Sequence, residues 1–359
     1  MKIGLARRGY SDTGGAEKYL QRFAKAANAA GHECLLFTDE EWPEGEWPGR
    51  LVRVATQSAA GFSRTVDEAR APLACDVFFS LERVSRCDVY RAGDGVHAAW
   101  LERRARFEPF WKRWFRGLNR KHAEILALEN SLFRERRAGR VIANSQLVRD
   151  EIVRHFDYPA DRIDVVYNGL PALRIEPEWR HATRQALGLG ESEYTALFAG
   201  SGWDRKGLRF AIDAVRKMNG VTLLVAGRGS WRGLPACDRV RFLGPRKDLL
   251  HLFAATDVFV LPTIYDPFSN ACLEALAAGL PVITTRANGF AEIVVPDRDG
   301  TVLDEPDDTA ALVAALNTWR DPARREDCRA RLIEKGAQFS IDRNLRETLA
   351  VLEKVRANA

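Results

Sequence analysis

Residues 257–285 read DVFVLPTIYDPFSNACLEALAAGLPVITT, and this stretch decides the fold. The apolar run DVFVL stops at Pro262, and a second run, PVITT, begins at Pro281. Between them lies a helical pattern over Ser269–Ala278. Two short apolar strands around one helix make a crossover unit. Strands flanked by Gly and Pro, with no polar alternation, belong to a parallel sheet covered on both faces.

The same unit repeats outward in both directions. Toward the C terminus TVL (301–303) reads as one more short strand. Toward the N terminus come VRFLG, VTLLVAG and TALFAG, with helices expected at Lys206–Lys217 and Asp248–Ala255. Further back, KIGLA, ECLLFT, LVRVA, CDVFFS, RVIANS and IDVVYNG form a first series, opened by the helix AEKYLQRFAKAANAA. The turn Asn168–Pro171 separates the two series. The expected plan is therefore α/β: a first Rossmann-like domain over 1–170 and a second over 171–340. A C-terminal helix, 341–359, is placed to pack back on the first.

Bulk composition fits this plan. With 359 residues, 46% hydrophobic and 29% charged, the chain has material for two cores, which rules out a disordered tail or a fibre. No run reaches the roughly 18 apolar residues that span a bilayer. The start, MKIGLARRGY, lacks an apolar signal region, so a cytoplasmic location is expected. The six cysteines are widely spaced, without a C-x-x-C pair, and read as buried thiols; neither a zinc site nor a disulfide framework is expected.

The candidate chemistry within 257–285 is a pair of carboxylates. Asp266 or Ser269 suits a helix cap, with Pro267 in the first turn, and a helix N-terminus presents N–H groups and a positive dipole end to anions or hydroxyl oxygens. Eight residues on, Glu274 is the only charge between Pro267 and Thr285. If both carboxylates were helical they would lie about 12 Å apart along the axis, comparable with a nucleoside diphosphate carrying a sugar. A simple cap and a solvated helix residue fit the pair equally well.

Upstream, FAGSGWDRKGL (198–208) sets Ser201 to Lys206 between a strand end and a helix start. Arg205 and Lys206 there suit a diphosphate, one as a planar fork and the other as a point charge. Solvation at the surface is the ordinary alternative. Gly14 and Gly15 open the helix after KIGLA, where glycine lets the backbone approach a phosphate, although a plain turn fits too. Two patterns mislead. GRGSWRG (227–233) has its third glycine one place late for a dinucleotide fingerprint and no helix behind it. Asp297-Arg298-Asp299 reads as a turn rather than a metal pair.

Taken together, DPFSNACLEA (266–275) with AGLPVITT (278–285) resembles the E-x7-E region of the family-4 retaining glycosyltransferases. SGWDRKG (201–207), the GG turn and YNGLP (167–171) are similar to other parts of that family's pattern, so the resemblance spans nearly the whole chain. It implies a GT-B fold, two Rossmann-like doubly wound domains facing across a cleft, with the nucleotide sugar held mainly by the second. Carried over by position, Arg205 and Lys206 neutralise the diphosphate and Glu274 binds the ribose. Asp266 stands in place of the first Glu and addresses the donor sugar with the amides of Phe268 and Ser269. Gly14, Gly15, Ser201, Arg228 and Asn270 complete the donor set. Two departures stand out: Asp266 is one methylene short, and Ser201 stands near where many members have Arg.

On the acceptor side the choice is Asp94, in RAGDGVH, with His97 second. The implied reaction moves a hexose, glucose from UDP-glucose, onto a lipopolysaccharide core or similar envelope glycolipid. It retains anomeric configuration and uses no metal and no cofactor beyond the donor. Another nucleotide sugar or acceptor, a nucleotide-sugar epimerase, and a non-catalytic nucleotide-sugar-binding protein at the membrane are the rivals.

Net charge is +5, yet WLERRARFEPFWKRWFRGLNRKH (100–122) alone carries +6. Arg103, Arg104, Arg106, Lys112, Arg113 and Arg116 interleave there with Trp111, Trp114 and other aromatics. This mixture suits docking at an anionic inner-membrane surface. A helix whose aromatics pack inward while its bases are solvated is the alternative. Single-stranded nucleic acid is the competing anion and is set aside as a partner.

Overall fold

Both series of strands assemble into all-parallel sheets in the computed structural model, which describes residues 1–10, 15–40, 42–43, 45–56, 58–108 and 119–358. Contacts divide the chain into two units, Met1–Tyr167 with Asp342–Ala359, and Asn168–Ile341.

The first unit holds β1 (Lys2–Ala6), β2 (Glu33–Thr38), β3 (Arg50–Arg53), β4 (Val77–Ser80), β5 (Cys87–Ala92), β6 (Ala138–Ala143) and β7 (Ile163–Val165). Their order is β3-β2-β1-β4-β5-β6-β7. Leu5 of β1 lies opposite Leu36 on one side and Phe79 on the other, and all three are buried. The order reverses between β1 and β4, the switch point where doubly wound sheets open a crevice at their carboxyl ends.

Strand β5 escapes the sequence reading because Asp88 and Arg91 interrupt its apolar run. Both are accommodated locally. Asp88 Oδ2 accepts from the Phe78 amide at 2.7 Å, and the buried Arg91 guanidinium stacks 4.4 Å above the Tyr19 ring. The closing helix, Ile341–Ala357, buries Leu345, Thr348 and Leu352 in this unit. Asn344 donates to the Tyr167 carbonyl at 2.6 Å, and the Tyr19 and Thr348 hydroxyls meet at 3.3 Å.

The second unit holds β8 (Thr195–Ala199), β9 (Thr222–Ala226), β10 (Val240–Gly244), β11 (Val258–Leu261), β12 (Val282–Thr285) and β13 (Gly300–Leu303), ordered β10-β9-β8-β11-β12-β13. Every residue of β8, β9, β11 and β12 is buried. This is why these strands read as continuous apolar runs, and each large side chain contributes on the order of 2 kcal/mol by leaving water. The amino ends of β8 and β11 are tied by Asp257, which accepts from the Thr195 amide at 2.8 Å and pairs with Arg180 at 2.9 Å. The switch point lies between β8 and β11, and their carboxyl ends carry the candidate site.

One boundary differs from expectation. The helix foreseen from Lys206 begins at Leu208 and runs to Arg216. Gly207 stands at φ +76°, where a Cβ would lie 1.9 Å from the Pro262 carbonyl oxygen. A left-handed residue cannot sit inside an α-helix, so residues 203–207 form a turn. The Asp297–Asp299 segment is the turn foreseen, with the Asp297 amide donating to Gly300 at 2.9 Å. Asp299 is paired with Lys335 and Arg331.

Candidate functional site

The 203–207 turn follows β8, and residues 262–269 follow β11, so the two segments flank the switch point. They are stitched together through the backbone of Arg205, whose carbonyl accepts from the Ile264 amide and the Thr263 hydroxyl, each at 2.9 Å. The neighbouring loop after β9 joins them: Gly202 donates to the Arg228 carbonyl at 2.9 Å. Gly227, at φ +119°, leaves room for the Gly200 carbonyl 2.0 Å from where a Cβ would stand. Ser201 and Arg228 are exposed at this edge. Among the described residues none pairs with the Arg205 guanidinium. The Lys206 ammonium bonds the Asp266 carboxylate, and both side chains are largely buried. Two cations and a carboxylate are thus held by backbone bonds at the place where parallel sheets bind phosphates.

Three expectations are resolved around Asp266. Of the two caps foreseen, the helix Asn270–Ala277 takes Ser269, whose Oγ accepts from Cys272 N at 3.4 Å, and not Asp266. Nor is Asp266 helical. Its amide donates to the Ala287 carbonyl and its carbonyl accepts from the Gly289 amide, each at 2.9 Å, so it lies extended beside Asn288. The 12 Å axial spacing assumed two helical residues and does not apply. Finally, the Ser269 amide, expected to address the donor sugar, donates to Asn288 Oδ1 at 3.2 Å.

Asn288 is one of the residues whose role the sequence pattern does not reveal. The Asn-Gly pair after VITT signals a turn, but nothing in the pattern shows that its amide reaches back to the helix. Of the other expected donor residues, Phe268 is buried against Phe290 with ring centroids 6.0 Å apart, and Asn270 Oδ1 accepts from Asn168 at 2.9 Å. Gly15 begins the helix Gly15–Ala29. Gly14 lies outside the described residues.

Glu274 sits half-buried on the same helix as Ser269's cap, and no described residue pairs with its carboxylate. Burial pushes its pKa up to about 7, because an ion that loses hydration with no compensating charge is disfavoured. An acceptor-rich group left without a donor is what a hydroxyl-bearing ligand would complete.

In the first unit, Asp94 is an exposed turn residue following β5, 3.9 Å from an Arg83 nitrogen. Its turn is held from beneath. Arg83 donates to the Gly95 carbonyl at 2.9 Å and pairs with the fully buried Glu129 at 3.0 Å. Glu129 in turn accepts from the His97 and Ala98 amides at 2.6 and 3.2 Å, closing the N-terminus of the helix His97–Ala105. Neither Arg83 nor Glu129 was foreseen, since each lies in a different motif and only the fold joins them. His97 Nε2 lies 2.9 Å from His122 Nδ1. Its pKa falls to about 4 through burial and the nearby Arg83 charge, so its ring is neutral at physiological pH.

The basic segment is described in part. Arg103 pairs with buried Glu151 at 3.2 Å and Arg104 pairs with Glu108 at 2.5 Å. These two bases therefore belong to the fold's own ion pairs. Arg106 lies over the Phe107 ring at 5.8 Å. Trp111, Lys112, Arg113, Trp114 and Arg116 lie outside the described residues. Among the described residues, no helix is long and apolar enough to cross a membrane.

Comparison with known proteins agrees with the fold. Residues 193–320 match the family described as glycosyl transferases group 1, and residues 89–172 match glycosyltransferase family 4. The chain is 26% identical over 321 residues to the lipopolysaccharide glucosyltransferase WaaG of Escherichia coli K12, covering 83% of each. It is 29% identical over 352 residues to a probable transglycosylase of Burkholderia thailandensis, covering 94% of this chain and 90% of that one. Among solved structures, WaaG, a glycosyltransferase involved in lipopolysaccharide biosynthesis, superposes with a TM-score of 0.81 at 21% identity, covering 98% and 99% of the two chains. Anabaena HepE in complex with UDP and glucose gives 0.75 at 20% identity, with coverage of 98% and 99%.

Proposed function

With group 1 and family 4 domains on a GT-B fold, the chain is a glycosyltransferase, and from that premise we propose that it moves glucose from UDP-glucose onto a lipopolysaccharide core or similar envelope glycolipid with retention of configuration. The observation that carries this reading is the pairing of Lys206 with Asp266 across the carboxyl ends of β8 and β11, beside an Arg205 with no counter-ion among the described residues; the helix that follows β11 adds Glu274, half-buried and without a partner among them.

In this reading the diphosphate takes Arg205 and Lys206, the ribose hydroxyls donate to Glu274, and Asp266 accepts from the sugar. As the sugar–phosphate bond breaks, negative charge grows on the departing phosphate oxygen. The two cations meet it in a site whose backbone is already fixed, so little reorganisation is needed. This supports departure of UDP without a metal. Asp94 faces the acceptor hydroxyl, with Arg83 and Glu129 holding its turn. His97, neutral and hydrogen-bonded to His122, serves that loop rather than the proton transfer.

Relatives named for lipopolysaccharide glucosyl transfer and for UDP with glucose support the donor and acceptor classes. A work site at the cytoplasmic face of the inner membrane follows from a glycolipid acceptor together with the basic aromatic segment. The test is direct: thermal shift against UDP, GDP, ADP and their glucose conjugates, then transfer to truncated lipopolysaccharide cores. Stabilisation by UDP and UDP-glucose with incorporation of glucose is expected. Stabilisation by another nucleotide alone overturns the donor, and donor consumption without any acceptor points to an epimerase.

A further inference from the structure

We propose that Asn288 is a positioning residue for the donor sugar, acting through Asp266 and the Ser269 cap; this rests on the reading of Asp266 as the sugar-facing carboxylate. Asn288 is 1% exposed, and both ends of its amide are used. Oδ1 accepts from the Ser269 amide at 3.2 Å and the Phe290 amide at 3.1 Å. Nδ2 donates to Thr284 Oγ1 at 3.0 Å and reaches Cys272 Sγ at 3.5 Å. One side chain therefore ties the end of β12, the 289–293 turn and the start of the Asn270–Ala277 helix.

Asp266 is locked to this same point. Its amide and carbonyl bond the residues on either side of Asn288, Ala287 and Gly289. An Asp has one fewer rotatable bond than Glu, so the place of its carboxylate is set by its backbone rather than by side-chain reach. Displacing Asn288 moves both the Asp266 backbone and the helix cap, and with them the surface offered to a hexose. Arg205 and Lys206 follow β8, and Glu274 lies in the second turn of the Asn270–Ala277 helix, beyond its cap, so the diphosphate and ribose contacts shift less than the Asp266 carboxylate.

The chemistry selects an amide. Thr284 spends its own proton on the Leu261 carbonyl at 2.9 Å, so its oxygen can only accept from residue 288. A carboxylate there would set one lone pair against another.

The experiment uses the full chain and compares wild type, Asn288→Ala and Thr284→Val. The last removes the oxygen that receives Nδ2, together with that oxygen's own bond to the Leu261 carbonyl, and leaves the Asn288 side chain in place. UDP affinity is read by calorimetry and turnover from UDP-glucose is expressed per UDP-binding site. For Asn288→Ala we expect kcat to fall about 10- to 100-fold while UDP affinity changes less than about threefold, as misplacement without loss of binding predicts. Thr284→Val should lose about three- to tenfold, the scale of one hydrogen bond.

A kcat per site within about twofold of wild type in both variants overturns the proposal. So does a loss of UDP affinity that equals the loss of kcat, the mark of a purely structural role. Should Asn288→Ala fail to fold, Thr284→Val carries the same two readouts. A wild-type chain that binds no UDP defeats the donor-site reading itself and takes this proposal with it, a result visible before any variant is made.

Discussion

The Lys206 ammonium rests on the carboxylate of Asp266, sixty residues further along the chain. Each residue leaves the end of a different strand, one after β8 and one after β11, so the pair spans the switch point of the second sheet. In the proposed reading, a cation poised for a diphosphate is thereby held ready by the group that faces the sugar.

Removing one partner of this pair separates its two duties. Lys206→Ala should lower transfer by roughly 10²–10³-fold, the scale of a lost charge-stabilising donor, and should also cost stability because Asp266 is left buried without its counter-charge. Adding Asp266→Asn should restore much of the thermal midpoint while activity stays lost. A double variant no more stable than Lys206→Ala would show that the ion pair does not carry the stability.

Glu274 makes donor binding and stability respond to pH in opposite senses. Its pKa is raised from 4.5 to about 7 in the folded chain, so between those values the native state holds a proton that the unfolded chain has released. Stability therefore falls as pH rises across that window and levels off above it. In the proposed reading the ionised form is the better acceptor for ribose hydroxyls, so affinity for UDP-glucose, whose diphosphate diester does not titrate in this range, should strengthen from pH 5.5 toward 8. Calorimetry across that range should show the trend in wild type and a flat line in Glu274→Gln.

Glu129 has no solvent contact and neutralises Arg83, so Glu129→Ala leaves a largely buried guanidinium with only the exposed Asp94 carboxylate, 3.9 Å away, as counter-charge and uncaps the His97–Ala105 helix. A loss of about 3–5 kcal/mol is expected, read as a drop in chemical-denaturation midpoint. The variant should bind UDP with unchanged affinity once folded and transfer poorly, because the Asp94 turn has lost its support.

The basic segment should divide by residue. Co-sedimentation with anionic vesicles is expected at low salt and should fade as salt rises. Combined charge reversal at Lys112, Arg113 and Arg116 should abolish it. Arg103→Ala should leave it nearly intact and lower the thermal midpoint, since Arg103 serves Glu151. Equal vesicle binding by wild type and the charge-reversed chain would defeat the membrane reading.

Much of the architecture was legible because buried parallel strands are uninterrupted apolar runs: TALFA, TLLVA and VFVL read correctly from composition alone. Strand β5 was not, since Asp88 and Arg91 pay their desolvation through partners from β4 and the first helix, which no local pattern shows. Candidates for the site are legible wherever a residue type announces its chemistry, as with Arg205, Lys206 and Glu274, whose roles belong to the proposed reading. The site was illegible where a role depends on who is opposite. Asn288 looks like any Asn-Gly turn, and Glu129 like any helix carboxylate, until the fold brings Ser269 and Arg83 to them. The position of Gly207 shifted a helix start by two residues for a similar reason: its need for a left-handed backbone comes from Pro262, fifty-five positions away.

The return of the Ile341–Ala357 helix to the first unit has a consequence for biosynthesis. During translation the contiguous stretch Asn168–Ile341 is free to close its sheet as it leaves the ribosome, whereas the earlier-made unit must wait for Leu345 and Leu352, which emerge only after that whole stretch. The half synthesised first is thus completed last, and its unfinished apolar face is what chaperones would meet on the nascent chain.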